Sequence, residues 1–211
     1  MRITLLYLTL IMTLFCIWGC SMGIEEAKYK VVSKENNFEI RDYSPQIIAE
    51  TIIEDNLENA GNKAFNTLFK YIQGNNKVRN KIAMTAPVSQ QAATEKIKMT
   101  APVEQKPVKG GWAVSFTMPA SYTMETIPEP NDPKVKIRQN PACRMAAVRY
   151  SGRWTEQLYK SNLKKLDDWV NEKGYIPNGE PVWARYNPPF TLWFLRRNEI
   201  LIPVKTAPRK N

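Results

Sequence analysis

One missing residue type limits the chemistry that this sequence can perform. The chain of 211 residues contains no histidine, which is the usual general base near neutral pH and the commonest protein ligand for zinc and copper. A Ser-His-Asp or Cys-His catalytic site and a His-ligated metal are therefore excluded. The three cysteines, Cys16, Cys20 and Cys143, include no C-x-x-C pair, so neither a structural zinc nor an iron–sulfur site is predicted.

Acid–base catalysis, if the protein performs any, would fall to Glu, Asp, Tyr or Lys side chains. Asp42, Glu50 and Glu199 are candidates. They do not form a pair at a spacing typical of general acid–base sites. The sequence therefore favours a binding protein over an enzyme, and no catalytic residue is assigned.

A short repeat places two methionines in matching positions. The segment Lys81-Ile-Ala-Met-Thr-Ala-Pro-Val88 recurs as Lys96-Ile-Lys-Met-Thr-Ala-Pro-Val103. In an extended chain the Ile and Met side chains share one face, and each proline ends or edges a strand. One interpretation is two core-facing strand ends. The other has Met84 or Met99 facing a bound ligand, to which a flexible thioether adapts well.

Hydrophobic periodicity defines the elements that must position these residues. Alternating apolar and polar residues, together with a high content of β-branched residues, predict strands. These strands are expected at residues 38–43, 47–53, 112–118, 134–138, 144–150, 182–186, 191–195 and 199–204. Residues 21–37 read as a polar tether that leads into the first strand. Apolar residues at spacings of three and four predict a helix capped by Asp55 and closed by Gly74, and another from about Thr155 to Gly174.

The order strand, turn and helix occurs twice, with Tyr43-Ser44 echoing Tyr150-Ser151. A hydrophobic fraction of 43% and a charged fraction of 24% are typical of a globular domain. The sequence therefore predicts an α+β domain with two pseudo-repeats. Its sheet is expected to be a curved antiparallel sheet or an open barrel, with two helices packed on it.

The N-terminus has the pattern of an export signal. One basic residue, an apolar run from Ile3 to Trp18 and a small residue precede Cys20. Ile17, Gly19 and Cys20 resemble a bacterial lipobox, in which Cys20 would be lipidated. An uncleaved signal anchor or an ordinary signal cut nearby are the alternatives. We expect the folded part in the cell envelope, anchored by lipid on the periplasmic side, with the outer membrane weakly favoured.

The sequence divides into a signal peptide at 1–19, a tether at 20–27, a folded domain at 28–205 and a basic tail at 206–211.

The net charge indicates the kind of partner. Removal of the signal peptide takes away one charged residue, Arg2, and lowers the formal net charge from +10 to +9. This positive charge favours anionic partners. No run of five basic residues appears, so a nucleic-acid partner is not predicted.

Several motifs in order resemble the SOUL haem-binding protein family, over about residues 28–204. They are Phe38-Glu-Ile-Arg-Asp-Tyr-Ser-Pro45, Lys70-Tyr-Ile-Gln-Gly-Asn75, Lys81-Ile-Ala-Met-Thr-Ala-Pro-Val88, Ala147-Val-Arg-Tyr-Ser-Gly152, Arg185-Tyr-Asn-Pro-Pro189 and Arg196-Arg-Asn-Glu199. The resemblance implies a distorted β-barrel of two pseudo-repeats, similar to gyrase-inhibitor-type effector-binding domains. It also implies binding of a tetrapyrrole, chiefly haem, without a known reaction.

In such relatives the haem lies against the first helix, near the loop that follows the Pro-Pro motif. Matched by motif, the helix positions are Asn62, Phe65, Phe69 and Lys70, and the loop position is Thr191. Phe65 and Phe69 would offer an apolar surface, or would simply pack in the core, and Lys70 could pair with a propionate or remain solvated. Relatives carry basic residues at the positions of Asn62 and Thr191, which predicts a weaker propionate clamp here.

The axial ligand of the iron is the open question. Asp42 stands where one branch of the family has a histidine. Tyr43, Met84, Met99 and Cys143 remain as candidates, and binding without any protein ligand to the iron suits this sequence better.

Three hypotheses for the function follow. The protein is a haem or tetrapyrrole binder of the envelope, a module for another flat amphipathic molecule, or an enzyme acting on a tetrapyrrole.

Overall fold

The computed structural model of the chain describes residues 24–79 and 94–206. Two helices, α1 at Leu57–Ile72 and α2 at Glu156–Glu172, and a short 3-10 helix at Trp193–Leu195 accompany the strands. The strands are β1 Glu25–Glu26, β2 Tyr29–Glu35, β3 Phe38–Tyr43, β4 Gln46–Ile53, β5 Asn76–Lys77, β6 Thr100–Ala101, β7 Val103–Val108, β8 Gly111–Thr117, β9 Glu129–Pro130, β10 Lys136–Asn140, β11 Cys143–Tyr150, β12 Tyr175–Pro177, β13 Val182–Arg185 and β14 Asn198–Thr206. The predicted signal peptide, Cys20, Met84 and tail residues 207–211 lie outside the described residues.

A large antiparallel sheet organises the domain. Its strand order is β10-β4-β8-β7-β13-β14-β11-β3-β2, and β12 adds to the far end of β14. Two small pairs lie apart from it, β1 with β6 in parallel and β5 with β9 in antiparallel orientation. The nine-residue β14 joins the halves, because it pairs with β11 on one side and with β13 and β12 on the other.

The sheet is not closed, so the distorted barrel that the family resemblance implies is wrong. Closure would require hydrogen bonds between β10 and β2, which form the two ends of the strand order. A bulge between Val31 and Ser33 interrupts β2, and Lys30 and Lys34 lie along this exposed strand. Bulges and lysines are common devices that prevent an edge strand from pairing further.

Both helices pack on the same face of the sheet. Beneath α2 a core cluster includes Trp183 and Ile200, and beneath α1 a second cluster includes Leu68 and Phe116. A third cluster around Tyr43 occupies the opposite face. The predicted α+β class is therefore confirmed. The halves are not identical in order, because β4 lies between the turn and the helix in the first half only.

Three local predictions differ from the structure. Residues 191–195 form no strand, and the 3-10 helix of Trp193–Leu195 takes their place. Tyr29–Glu35, assigned to a polar tether, is the edge strand β2. The N-cap of α1 is Asn56, whose side chain accepts a hydrogen bond from the Asn59 amide, whereas Asp55 accepts from the Asn56 amide just before the helix.

Candidate functional site

The second half of α1 forms one wall of a cavity. Asn56 caps the helix, and Ala60, Gly61, Ala64 and Leu68 belong to its buried face. Phe65 and Phe69 lie at the edge of this face. Phe65 and Phe69 are one turn apart and stack with centroids 5.5 Å apart and ring planes 14° apart. Phe65 also packs on Phe116 of the core. Phe69 remains 38% exposed, so this aromatic pair presents an accessible apolar surface.

The opposite wall comes from β6 and from the loop that follows β13. Met99 precedes β6 and is 37% exposed, and Phe190 in the loop is 86% exposed. Arg196 holds the loop, because its guanidinium donates to the carbonyls of Pro189 and Thr191 at 2.6 and 2.8 Å. Apolar side chains therefore stay at the mouth of the cavity although water surrounds them.

The cavity between these walls measures about 570 Å³, within the range of about 300–1,000 Å³ typical of small-molecule sites. Its lining is mainly apolar. The lining includes the side chains of Asn62, Phe65, Phe69, Met99, Arg185 and Phe190.

Arg185, at the end of β13, is the charged group of this cavity and is only 6% exposed. Its Nη2 donates to Oε1 of Gln105 at 3.1 Å, while its Nε has no partner among the described residues. The guanidinium lies 5.1 Å from the ring centroids of both Trp154 and Trp183. Burial lowers the pKa of Arg185 to about 10, so the group still carries its charge at neutral pH.

The structure brings four predicted site residues to one place. Asn62, Phe65, Phe69 and Met99 line the cavity. Lys70 is exposed and is not part of the lining, because one residue step turns a helix by about 100° and carries it away from Phe69.

Thr191 also lies outside the cavity lining, although it belongs to the loop at the mouth. Its carbonyl accepts the hydrogen bond from Arg196, and its amide donates to the carbonyl of Pro188 at 3.1 Å. Thr191 therefore helps to hold the shape of the loop. Met84 falls outside the described residues.

Arg185 is a site residue that was not predicted from the sequence. The alternation of β13 carried the signal, because Trp183 and Arg185 lie two positions apart and therefore share a face of the strand. Trp183 is completely buried, so the charge of Arg185 had to lie on the buried face as well.

A second cavity of about 450 Å³ lies on the other side of β7. Neighbouring residues of a strand point to opposite faces, and Val103 lines the first cavity whereas Glu104 lines the second. Burial raises the pKa of Glu104 to about 7, and the nearby charge of Lys106 partly opposes this. The axial-ligand candidates Tyr43 and Cys143 line this second cavity and not the first.

The three carboxylates named as possible acid–base groups are all engaged in ion pairs. Glu199 is fully buried, and Arg41 donates to it at 2.6 Å; although burial opposes ionisation, the hydrogen bonds and charge of Arg41 lower the pKa of Glu199. Hydrogen bonds from Arg144 lower the pKa of Asp42, and Glu50 pairs with Arg138 at 2.6 Å.

No group of three or more Cys, Asp or Glu side chains within residues 24–79 and 94–206 is arranged to hold a metal ion. In the same part of the chain, no helix has both the length and the apolar character needed to cross a membrane.

Solved structures similar to this chain share its fold at low sequence identity. The C-terminal domain of EcmrR has a TM-score of 0.56 and 14% identity, covering 85% of this chain and 99% of that domain. A protein described as a hydrolase from Listeria innocua has a TM-score of 0.52 and 8% identity, covering 82% and 94% of the two chains. At such identities the likeness extends to the fold alone.

Comparison with curated proteins gives no match. The sequence does match the family described as SOUL heme-binding protein over residues 24–203, which is most of the chain and includes the whole cavity described above. The chain therefore belongs to the SOUL heme-binding protein family.

Proposed function

We propose that this protein binds a tetrapyrrole, haem above all, in the cavity beside α1, and that it does so by apolar and ionic contacts without a histidine ligand. Membership of the SOUL family suggests the class of ligand. The observation that carries the proposal is the convergence of Phe65, Phe69 and Met99 on one apolar cavity of about 570 Å³.

The residues present fit a flat macrocycle. The stacked pair of Phe65 and Phe69 is suited to an extended apolar ring, because aromatic surfaces prefer offset-stacked or edge-to-face contacts. Met99 is the sulfur-containing residue among the described residues that line the cavity. Haem, when bound, would bring a redox-active iron to this place. The protein's own side chains exclude water from the faces of the ligand and fix its orientation.

A metal-free tetrapyrrole, or another flat amphipathic molecule, is the second candidate. The chain has no histidine, and Asp42, at the position of a relative's histidine, is held by Arg144 at 2.7 and 2.8 Å. Iron is therefore not required for the contacts that the cavity offers. Haem, a porphyrin without iron and an unrelated flat acid would share the same apolar contacts.

Absorbance titrations distinguish these candidates. Haemin and protoporphyrin IX are each added to the whole 211-residue chain in a mild detergent, with detergent alone as the blank. We expect saturable binding of both at one site per chain, with a Soret band distinct from that of the blank. Binding of protoporphyrin alone would favour the metal-free ligand. Spectra that match the blank for both compounds would refute tetrapyrrole binding.

We also propose that the protein is a lipoprotein of the cell envelope, on the basis of the lipobox-like Ile17-Trp-Gly-Cys20. Labelled palmitate should enter the wild-type chain expressed in a bacterium, and Cys20→Ala should abolish the labelling. Cys143→Ala is the matched control, and it should retain the label. Equal labelling of wild type and Cys20→Ala would refute lipidation at this residue.

A further inference from the structure

The buried charge of Arg185 lacks an anion. Of its guanidinium nitrogens, only Nη2 has a hydrogen-bond acceptor among the described residues, and that acceptor is the neutral amide of Gln105. The other deeply buried arginine in the described part of the sheet, Arg41, does have a carboxylate partner. It is 2% exposed and pairs with Glu199 at 2.6 Å. A buried charge without a partner costs several kcal/mol, so its retention in a ligand cavity points to a partner that arrives with the ligand.

The surroundings of Arg185 form a cradle for its side chain. Gly61 of α1 makes room for it, because a Cβ atom at that position would lie 2.0 Å from Nη2. Gln105 is itself oriented by donating Nε2 to the carbonyl of Leu57 at 2.7 Å, which aims its oxygen at the guanidinium. Trp154, fixed by a hydrogen bond to Asn198, lies over the group. These neighbours hold the guanidinium in place without neutralising it.

We propose that Arg185 binds an acidic group of the ligand, so that the ligand is an amphipathic acid that enters the cavity with its acid group first. The inference rests on the proposed function, because it concerns the same cavity. A carboxylate is the simplest such group, since its two oxygens match the N–H groups of a guanidinium.

The order of residues along α1 gives the dimensions of the ligand. Gly61 touches the guanidinium region, and Phe65 and Phe69 follow at intervals of four residues. Each interval is a rise of about 6 Å along the helix, so the aromatic surface extends about 12 Å from the charge towards the open mouth. The ligand is therefore an apolar body of about this length with an acid at its inner end.

The test compares an acid with its ester. Haemin and haemin dimethyl ester, which lacks the free carboxylates, are titrated into the whole chain and into the variants Arg185→Met, Arg185→Lys and Gly61→Ala. Arg144→Met is the matched control, because that arginine pairs with Asp42 at the surface. Gly61→Ala leaves Arg185 itself unchanged and displaces only its guanidinium.

We expect wild type and Arg144→Met to bind haemin more tightly than the ester by about 10- to 100-fold, which is the strength of hydrogen bonds to a charged group. Arg185→Met and Gly61→Ala should lose this preference while still binding the ester, and Arg185→Lys should keep part of it. If wild type binds both compounds equally and Arg185→Met changes nothing, the inference is overturned and tetrapyrrole binding stands. If wild type binds neither, the proposed function falls with it.

Thermal unfolding without ligand separates this role from a structural one. Arg185→Met should melt at the same temperature as wild type or higher, because the substitution removes an unneutralised buried charge. A lower melting temperature, together with equal weakening of haemin and ester binding, would show that Arg185 serves the fold and would overturn the inference.

Discussion

Replacement of Phe69 by alanine tests the aromatic wall of the cavity. The side chain packs on Phe65 but remains 38% exposed, so much of its surface is free for a ligand. Ile176→Ala is the matched control, because Ile176 is an apolar residue on β12 that is 49% exposed and lies away from the cavity. Both variants remove exposed apolar surface, and only one removes it from the site.

The structure gives the expected size of the effect. An aromatic side chain buries about 150–250 Å², so the 38% of Phe69 that is still exposed leaves on the order of 75 Å² for contact with a ligand. At about 25 cal/mol per Å² this area is worth about 2 kcal/mol, which corresponds to a Kd raised about 30-fold. Stacking on the ring would add about 0.5–1.5 kcal/mol.

The assay is a haemin titration followed at the Soret band, with urea unfolding of each variant as the control for stability. Phe69→Ala should weaken binding about 30-fold, while Ile176→Ala leaves the Kd unchanged. If both variants bind haemin as wild type does, α1 is not the wall on which the ligand lies. If Phe69→Ala lowers the free energy of unfolding by as much as it weakens the free energy of haemin binding, Phe69 is a core residue and the reasoning fails.

Three further predictions concern charge. Glu199→Ala should cost about 3–5 kcal/mol in urea unfolding because it removes the buried anion that Arg41 and Arg197 share and leaves Arg41 with Glu39 alone, whereas Asp42→Ala at the surface should cost much less; equal costs would refute the assignment. Glu104 binds its proton more tightly in the folded state, with a pKa of about 7 against a usual 4.5, so wild type should lose stability relative to Glu104→Gln as pH rises between these values and no further above them; parallel pH profiles of the melting temperature would contradict this. Asn62→Lys, at the cavity lining, should tighten haemin binding by about two- to five-fold at low salt and leave the dimethyl ester unaffected; an equal gain for both compounds would exclude an ionic effect.

The repeating elements of the fold are predictable because they depend on local periodicity. Phe38–Tyr43 has the same bounds in the structure as in the prediction, and α1 ends next to the predicted Gly74, which has a φ of 112°. The start of α1 was misplaced by one residue, because Asp55 and Asn56 are both good capping residues and only the folded chain decides between them.

Closure of the sheet and the state of residues 191–195 were not predictable from local pattern. Whether β2 meets β10 depends on the twist and bulges accumulated over the whole sheet. The apolar run around Trp193 has the composition of a strand. Its structure depends on Arg196, which binds the carbonyls of Pro189 and Thr191 and so favours a turn.

The candidate site was predictable in its apolar part and not in its charge. Phe65 and Phe69 are four residues apart in the sequence, so a helix must place them side by side. The position of Arg185 against Gly61 joins residues that are far apart in the chain. No periodicity reports such a contact, and Lys70, the predicted cationic partner, rests on the motif match with the family alone.

On this account the ligand lies in the cavity between α1 and the loop that follows β13. Iron in haemin is paramagnetic and broadens the NMR signals of nearby amides, so a spectrum of the isotope-labelled chain with haemin reports its position directly. Amide signals from Gly61 to Phe69 and those of Tyr186, Asn187 and Phe190 should broaden, while those of Glu104 and Cys143 should remain sharper. Broadening centred on Glu104 and Cys143, with the α1 signals unaffected, would place the ligand in the second cavity and contradict the claim.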